Sequence, residues 1–206
     1  MLSSSVCVLD YGSGNVKSVF NALRQIGCRV EISNSPEVMA GASHLILPGV
    51  GSYEKAMAKI NLLIPLKALY REIQMGKPIL GICVGMQVFS SIGKEFGFWE
   101  GLDLIKNSEV SELRTDLPIP HVGWNSVDIK IEHKFLDSLN DKPDFYFVHG
   151  YAYSKIQTDR VLASCEYGTT FPAVISQGNI IGTQFHPEKS QKNGLKVLSN
   201  FIEWLP

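Results

Sequence analysis

A cysteine at position 83 lies between two glycines, in the stretch Gly-Ile-Cys-Val-Gly at residues 81–85. The apolar run before Cys83 predicts a strand, and the residues after it predict a helix that begins at once. This G-x-C-x-G spacing is the cysteine counterpart of the strand–turn–helix elbow that presents a catalytic serine. The helix N-terminus would favour the thiolate, and the N–H of Val84 would donate to an oxyanion. Taken alone, the pattern fits a buried core cysteine about as well.

A base for such a cysteine is available in the stretch Thr-Gln-Phe-His-Pro-Glu, which ends at Glu188. His186 precedes a proline, which favours an extended backbone, and residues i and i+2 of an extended chain point the same way. The Glu188 carboxylate would therefore hold the His186 imidazole in one tautomer. On its own His-Pro-Glu is more often a surface turn, but together with Cys83 it forms a candidate Cys–His–Glu triad for acyl transfer.

The first half of the chain alternates between predicted strands and helices. Continuous apolar strands separated by helices are typical of a parallel sheet that is covered on both faces. Predicted strands cover 6–12, 28–33, 44–51 and 77–83, with Pro48 and Gly49 breaking the third, and predicted helices cover 15–27, most of 53–75, and 84–93.

The second half is rich in strands joined by turn residues, and it ends in a helix. Predicted strands cover 121–131, 144–154, 160–168, 171–178 and 179–185, and the helix covers 194–205. Ser-Gln-Gly-Asn, between the last two strands, predicts a hairpin. We therefore expect one domain over residues 1–206, a three-layer α/β fold whose mixed sheet has an antiparallel extension.

Composition narrows the classes of function. The chain has 206 residues, 45% of them hydrophobic, and a formal net charge of -1. No basic cluster predicts nucleic-acid binding, no apolar run approaches the length of a membrane span, and the N-terminus does not resemble a signal peptide. The four cysteines form no C-x-x-C pair, so we expect neither a metal site nor a disulfide framework, and a cytoplasmic location.

These residues carry a family resemblance. The stretches GKPILGICVGMQ and GTQFHPEKS resemble the class I glutamine amidotransferases. LDYGSGNVKSV, LPGVGSYEKAM, and PIPHVGWNSV with FYFVHGY are similar to one branch of that family, the glutaminase subunits of imidazole glycerol phosphate synthases. The resemblance runs from Val6 to Trp204. It implies hydrolysis of glutamine to glutamate and ammonia without a cofactor, in a heterodimer whose (β/α)8 cyclase subunit receives the ammonia.

The resemblance also implies roles for individual residues. Cys83 would attack the glutamine side-chain amide, with His186 as base and Glu188 as its partner. Backbone around Gly49 and Val50 would form the oxyanion site with Val84. The remaining positions are the substrate contacts Gly51, Gln87 and Glu95, and the partner interface Asn15, Trp124, Tyr146 and Lys189. His121 and His149 are expected to be structural or interface histidines.

Two positions depart from the family pattern, and three other functions remain open. Val84 stands where leucine is common, and a glycine usual in the family is missing at Asn107 or Ser108, within the 96–110 loop. One alternative is a paralogous subunit that supplies ammonia to another barrel synthase, for example in sugar amidation. The others are a γ-glutamyl hydrolase, which would act alone, and a non-catalytic binding subunit, which would not need the triad.

Overall fold

A computed structural model describes residues 4–12 and 14–206; our expectations for residues 1–3, and for Ser13 within LDYGSGN, fall outside this part. The strands are β1 Ser5–Leu9, β2 Arg29–Ser33, β3 His44–Gly49, β4 Ile79–Cys83, β5 Ser90–Gly93, β6 Trp99–Glu100, β7 Ile105–Glu112, β8 His121–Ile129, β9 Asp144–His149, β10 Tyr151–Lys155, β11 Val161–Glu166, β12 Thr170–Gln177 and β13 Ile180–Thr183. The α-helices are α1 Val16–Gln25, α2 Pro36–Gly41, α3 Tyr53–Leu63, α4 Leu66–Gln74, α5 Val84–Gln87 and α6 Gln191–Glu203. Among these described helices, none combines the length and apolar character needed to cross a membrane.

The large sheet has nine strands in the order β2-β1-β3-β4-β13-β12-β11-β8-β9. Neighbours from β2 to β13 are parallel, and neighbours from β13 to β9 are antiparallel. The predicted mixed sheet with an antiparallel extension is therefore confirmed. The hairpin predicted at Ser-Gln-Gly-Asn joins β12 to β13, and Gly178 takes the left-handed backbone of this turn (φ 57°).

Helices cover both faces of this sheet, which confirms the three-layer arrangement. Apolar residues three or four positions apart give each helix one face for the core. α1 buries Val16, Val19 and Leu23, and it contacts α6, which buries Val197 and Phe201. α2 and α4 contact each other as well.

A second sheet, of four strands in the order β10-β7-β5-β6, was not predicted. It overturns the helix predicted for 84–93, because α5 ends at Gln87 and β5 begins at Ser90. Most of the 96–110 loop is also strand, in β6 and β7. β5 pairs with β7, a strand formed later in the chain, and such pairing decides between strand and helix more strongly than local periodicity does.

The stretch 144–154, predicted as one strand, is two strands separated by Gly150. β9 closes the large sheet beside β8, and β10 pairs with β7 in the small sheet. The chain therefore changes sheets at His149-Gly150-Tyr151. Pro48 and Gly49, expected to break β3, instead lie within it and pair with β4 up to Cys83.

Candidate active site

Three adjacent parallel strands bring the predicted site residues to one edge of the large sheet. β4 lies between β3 and β13, with Gly49 paired to Cys83 and Thr183 paired to Ile82. His186 follows β13 by three residues, so it enters the same edge as Cys83. The carboxyl ends of parallel strands are where α/β sheets place ligands, as we predicted for this pair.

Cys83 has the strained backbone of a nucleophile elbow, with φ 54° and ψ -112°. A Cβ added to Gly85 would lie 1.9 Å from the backbone oxygen of Leu47, and one added to Gly81 would lie 2.6 Å from the Phe89 ring. Both flanking positions therefore require glycine, as we predicted from the spacing. The following helix α5 is a single turn, so its positive end consists of a few free N–H groups rather than a long dipole.

His186 and Glu188 form a buried pair. Their side chains are 0% exposed, and His186 Nδ1 donates to Glu188 Oε1 at 2.8 Å. The predicted contact is present, but the chain from Pro187 turns as a 3-10 helix and does not stay extended. Asn15 Nδ2 also donates to Glu188 Oε1, at 3.0 Å. The opposite ring atom, His186 Nε2, has no hydrogen-bond partner among the described residues, and His186 lines the same cavity as Cys83.

Charge in the site favours protonated His186 beside ionised Glu188. Burial opposes the protonated form of His186, but its interaction with Cys83, followed by its contact with Glu188, outweighs burial and raises the pKa of His186 to about 10. Burial would also raise the pKa of Glu188. The hydrogen bond and charge of His186, helped by Asn15, hold the pKa of this carboxyl below its usual range.

A cavity of about 500 Å³ opens over Cys83. It is lined by residues predicted for catalysis, the oxyanion site and substrate binding, namely Cys83, His186, Val84, Val50, Gly51, Gln87 and Glu95. Gly49 packs behind the elbow, where an added Cβ would lie 2.4 Å from the Gly85 nitrogen. Gly51 takes a left-handed backbone, with φ 94°. The oxyanion roles of Gly49, Val50 and Val84 and the substrate role of Gly51 stay predictions.

Gln87 and Glu95 both line the cavity, and each uses part of its polar group in hydrogen bonds within the protein. Gln87 is 2% exposed, and its amide nitrogen donates to the Tyr151 carbonyl at 2.8 Å and to Gln184 Oε1 at 3.1 Å. Only its oxygen remains for a ligand. Glu95 is 9% exposed and follows β5, and its Oε2 accepts from the N–H of Tyr53 at 2.6 Å. Burial raises the pKa of Glu95 despite that hydrogen bond.

The predicted interface residues fall in two groups. Trp124 is 48% exposed on β8, its ring centroid lies 6.1 Å from that of Tyr146 on β9, and Lys189 Nζ lies 5.8 Å above the Tyr146 ring. Trp124 and Lys189 are exposed and Tyr146 is half-buried, and these three residues form one surface cluster. Asn15 is instead 4% exposed and reaches inward to Glu188. The interface roles of all four stay predictions.

His121 and His149 are both buried. Burial lowers the pKa of His149 to about 3, so its ring is neutral at physiological pH. Its Nδ1 donates to the Tyr151 carbonyl at 2.9 Å, and its Nε2 lies 3.3 Å from His121 Nδ1. No group of three or more His, Cys, Asp or Glu side chains in the described part of the chain is arranged to hold a metal ion.

Two contacts of the Cys83 sulfur were not anticipated from the sequence. Gln184 Nε2 lies 3.7 Å from the sulfur, and the Val148 carbonyl oxygen lies 3.9 Å from it. The spacing of two between Gln184 and His186 is a weak signal, because alternation applies only to an extended chain and the chain bends at residues 184–185. The Val148 contact depends on β9, and no local pattern marks it.

The missing family glycine also has a structural counterpart. Asn107, in β7, has a left-handed backbone with φ 58°. Asparagine is one of the few residues other than glycine that adopts this conformation readily. The departure therefore keeps the turn of the backbone that glycine would provide, and Ser108 beside it is fully buried.

Comparisons with known proteins agree with the geometry. Residues 7–204 match the protein family described as glutamine amidotransferase class-I. The chain is 44% identical to the imidazole glycerol phosphate synthase subunit HisH of Methanosarcina acetivorans, over 96% of this chain and 98% of that one. It is 40% identical to the subunit of the same name from Oceanobacillus iheyensis, over 97% and 99%. Among solved structures, PurLQS of Thermotoga maritima has the same fold, with a TM-score of 0.77 at 19% identity over 100% of both chains.

Proposed function

The chain belongs to the class I glutamine amidotransferases, and we propose that it is the glutaminase subunit of an imidazole glycerol phosphate synthase. The observation that carries this is the meeting of Cys83 with the buried pair of His186 and Glu188 at one sheet edge. Relatives of that name at 44% and 40% identity align over nearly the whole chain, which favours this function over a paralogous synthase. Residues 1–206 would act as a single domain.

The arrangement supports a two-step acyl transfer. The Cys83 thiolate attacks the side-chain amide carbon of glutamine, and the N–H groups of Val84 and of the Gly49–Val50 segment stabilise the oxyanion. Protonated His186 gives its Nε2 proton to the leaving nitrogen, so ammonia departs and a glutamyl thioester remains. His186 then takes a proton from water, which attacks the thioester, and glutamate is released as Cys83 becomes a thiolate again. Glu188 keeps His186 in the required orientation through Nδ1.

Glutamine binding would use the remaining cavity residues. The Gln87 nitrogen already donates two hydrogen bonds within the protein, so the Gln87 oxygen is the atom that would accept a hydrogen bond from the substrate. Glu95 would pair with the α-amino group, since its carboxylate lines the cavity and uses one oxygen on Tyr53. No metal or organic cofactor takes part in this chemistry.

The ammonia requires a second subunit that uses it. We place a (β/α)8 cyclase on the surface cluster of Trp124, Tyr146 and Lys189, forming a heterodimer in which ammonia passes between the chains. Apolar side chains continue this surface beside the cavity, with Ile119 39% and Val122 56% exposed. We place the heterodimer in the cytoplasm, because all four cysteines are free thiols, as a reducing compartment keeps them.

Glutamate release from glutamine tests the function. The chain is assayed alone, with the cyclase subunit of the same organism, and with that subunit plus its ribonucleotide acceptor. We expect little release by the chain alone and strong stimulation when both are present. No stimulation, in a chain whose Cys83 still reacts with a glutamine-like alkylating agent, would contradict the proposal and indicate a different partner.

A further inference from the structure

The Cys83 sulfur lies between a hydrogen-bond acceptor and a donor. The Val148 carbonyl can only accept, so at 3.9 Å it suits the neutral thiol. The Gln184 NH2 group can only donate, so at 3.7 Å it suits the thiolate. Cys83 is 3% exposed, which leaves water little access to solvate a charged sulfur. A thiolate here therefore depends on donors that the protein supplies.

The hydrogen bond that Gln184 Oε1 accepts from Gln87 fixes the orientation of the Gln184 amide. Gln87 Nε2 donates to the Tyr151 carbonyl at 2.8 Å, and this carbonyl carries no hydrogen of its own. The NH2 group of Gln87 must therefore face it. The second hydrogen of the same NH2 group points to Gln184 Oε1 at 3.1 Å. A reversed Gln184 amide would set two donors against each other, so its Nε2 faces the sulfur.

We infer that Gln184 is a further catalytic residue of the glutaminase reaction, one that donates a hydrogen bond to the Cys83 thiolate. The role of Gln184 in turnover rests on the proposed function, whereas its contact with the Cys83 sulfur does not. Donation matters while the sulfur carries charge, before it attacks glutamine and again when it leaves the thioester. It weakens in the acyl intermediate, where the sulfur is bonded to carbon and is neutral. Gln87 acts as a positioning residue, because it sets the direction of the Gln184 amide.

Two substitutions separate this role from simple packing of a buried side chain. Gln184→Glu keeps the shape and the acceptor for Gln87, but it turns an oxygen toward the sulfur. Gln184→Met keeps the approximate length and removes both polar atoms. Gln177→Met is the matched control, because Gln177 ends β12 and its amide contacts the Leu104 carbonyl at 3.4 Å, outside the cavity lining.

The experiment measures the rate of Cys83 alkylation by iodoacetamide against pH, read by mass spectrometry of the Cys83 peptide. We expect Gln184→Glu and Gln184→Met to slow alkylation roughly tenfold at neutral pH and to move the pH midpoint upward by about one unit, as for loss of one hydrogen bond to a charged group. Gln177→Met should keep the wild-type profile. Wild-type profiles for both Gln184 variants, with unchanged melting temperatures, would overturn the inference.

A measurement on the unmodified chain applies if the variants do not fold. The side-chain amide resonances of Gln184, followed by NMR, should shift at the pH midpoint of Cys83 alkylation and should lose that response after alkylation. An amide signal that is insensitive to both would overturn the inference. Because neither readout uses glutamine or a partner, a failed glutaminase assay with an intact Gln184 effect would reject the proposed function alone.

Discussion

At the scale of single residues, the site is set by a few buried hydrogen bonds. Glu188 accepts from both His186 and Asn15, so its charge is matched although its side chain is 0% exposed. Breaking a buried charge pair on one side typically costs about 3–5 kcal/mol, because the other charge is left without compensation. Removing either partner should therefore destabilise the folded chain, and the intact pair holds the imidazole in the orientation that faces the cavity over Cys83.

Replacing Cys83 or His186 with alanine should separate the two halves of the reaction. We expect Cys83→Ala and His186→Ala to lower glutamine-dependent synthase turnover at least about a thousandfold, because nucleophile or proton transfer is lost. Turnover of the same heterodimer with added ammonia should be unchanged, since the cyclase does not need the thiol. Full glutaminase activity in either variant would mean that the triad is wrongly assigned.

The buried pair should also give stability a defined dependence on pH. The pKa of His186 is raised from 6.5 to about 10 by Cys83 and then by Glu188, so the stabilisation it gains from both is complete below pH 6.5 and is lost as the pH rises through 10. The pKa of Glu188 is lowered from 4.5, so its contribution is present above pH 4.5 and is lost as the pH falls through the folded-state value. Wild type should have a larger free energy of unfolding than Glu188→Gln. We expect this difference to be largest between pH 4.5 and 6.5.

Urea unfolding from about pH 4 to about pH 10 measures this difference. Glu203→Gln is the control, because Glu203 is exposed on α6 and, among the described residues, its carboxylate accepts a hydrogen bond only from the Ser199 hydroxyl, at 3.0 Å. The control should show no comparable maximum. If the difference in unfolding free energy between wild type and Glu188→Gln is constant across this pH range, the ion pair of His186 and Glu188 is not its source.

At the scale of elements, close packing of β3 against the elbow holds Cys83 in its strained conformation. A left-handed non-glycine backbone of this kind costs of order 1–3 kcal/mol and persists only where the surroundings determine it. Here the surroundings are β3 and α5, which approach so closely at Gly85 that no Cβ fits. The parallel strands β3, β4 and β13 bring the proposed oxyanion segment, nucleophile and base to one edge of the sheet.

Gly85→Ala should therefore be strongly destabilising. Its Cβ would lie 1.9 Å from the Leu47 backbone oxygen, so either β3 or the elbow must shift. We expect a loss of at least about 3 kcal/mol and of glutaminase activity, measured by urea unfolding and glutamate release. Gly41→Ala is the control, since nothing lies within 4 Å of its added Cβ; it should be neutral or slightly stabilising. Equal stability of the two variants would show that the elbow relaxes freely.

At the scale of the whole molecule, the cavity opens next to a surface of exposed apolar side chains that no other segment of the described chain covers. Trp124 is 48% and Val122 56% exposed on β8, beside Tyr146 and Lys189. Tryptophan contributes more to protein interfaces than most residues when a partner buries it. This position of the surface, beside the cavity mouth, is consistent with direct transfer of ammonia to a second subunit.

Trp124→Ala should weaken binding of the cyclase roughly thirtyfold without unfolding the chain, the usual effect of truncating an interface tryptophan. Titration of the cyclase against glutamate release measures the affinity. Leu62→Ala is a matched control, because Leu62 is 79% exposed on α3 and is not part of the cavity lining. If Trp124→Ala binds the cyclase with unchanged affinity, the interface does not include this cluster.

The sequence by itself determined features that are encoded over a few neighbouring residues. Glycines at 81 and 85 identified the elbow, because only glycine permits such close approach of two backbones. The proximity of His186 and Glu188 was predicted from their spacing, although a turn at Pro187 produces it and not the extended chain that we expected. Apolar runs and helical periodicity predicted strands β1 to β4 and the helices at α1, α3 and α4, but not β5 within the helix expected for 84–93. Turn residues predicted the β12–β13 hairpin.

Only the tertiary structure decided the contacts between distant parts of the chain. Gln184 meets the Cys83 sulfur across 101 positions, and Asn15 meets Glu188 across 173. The small sheet forms because β5 pairs with β7, although the residues just before β5 form the helix α5. Short local patterns describe what a segment prefers, whereas pairing, burial and hydrogen-bond partners depend on segments that are adjacent only after the chain has folded.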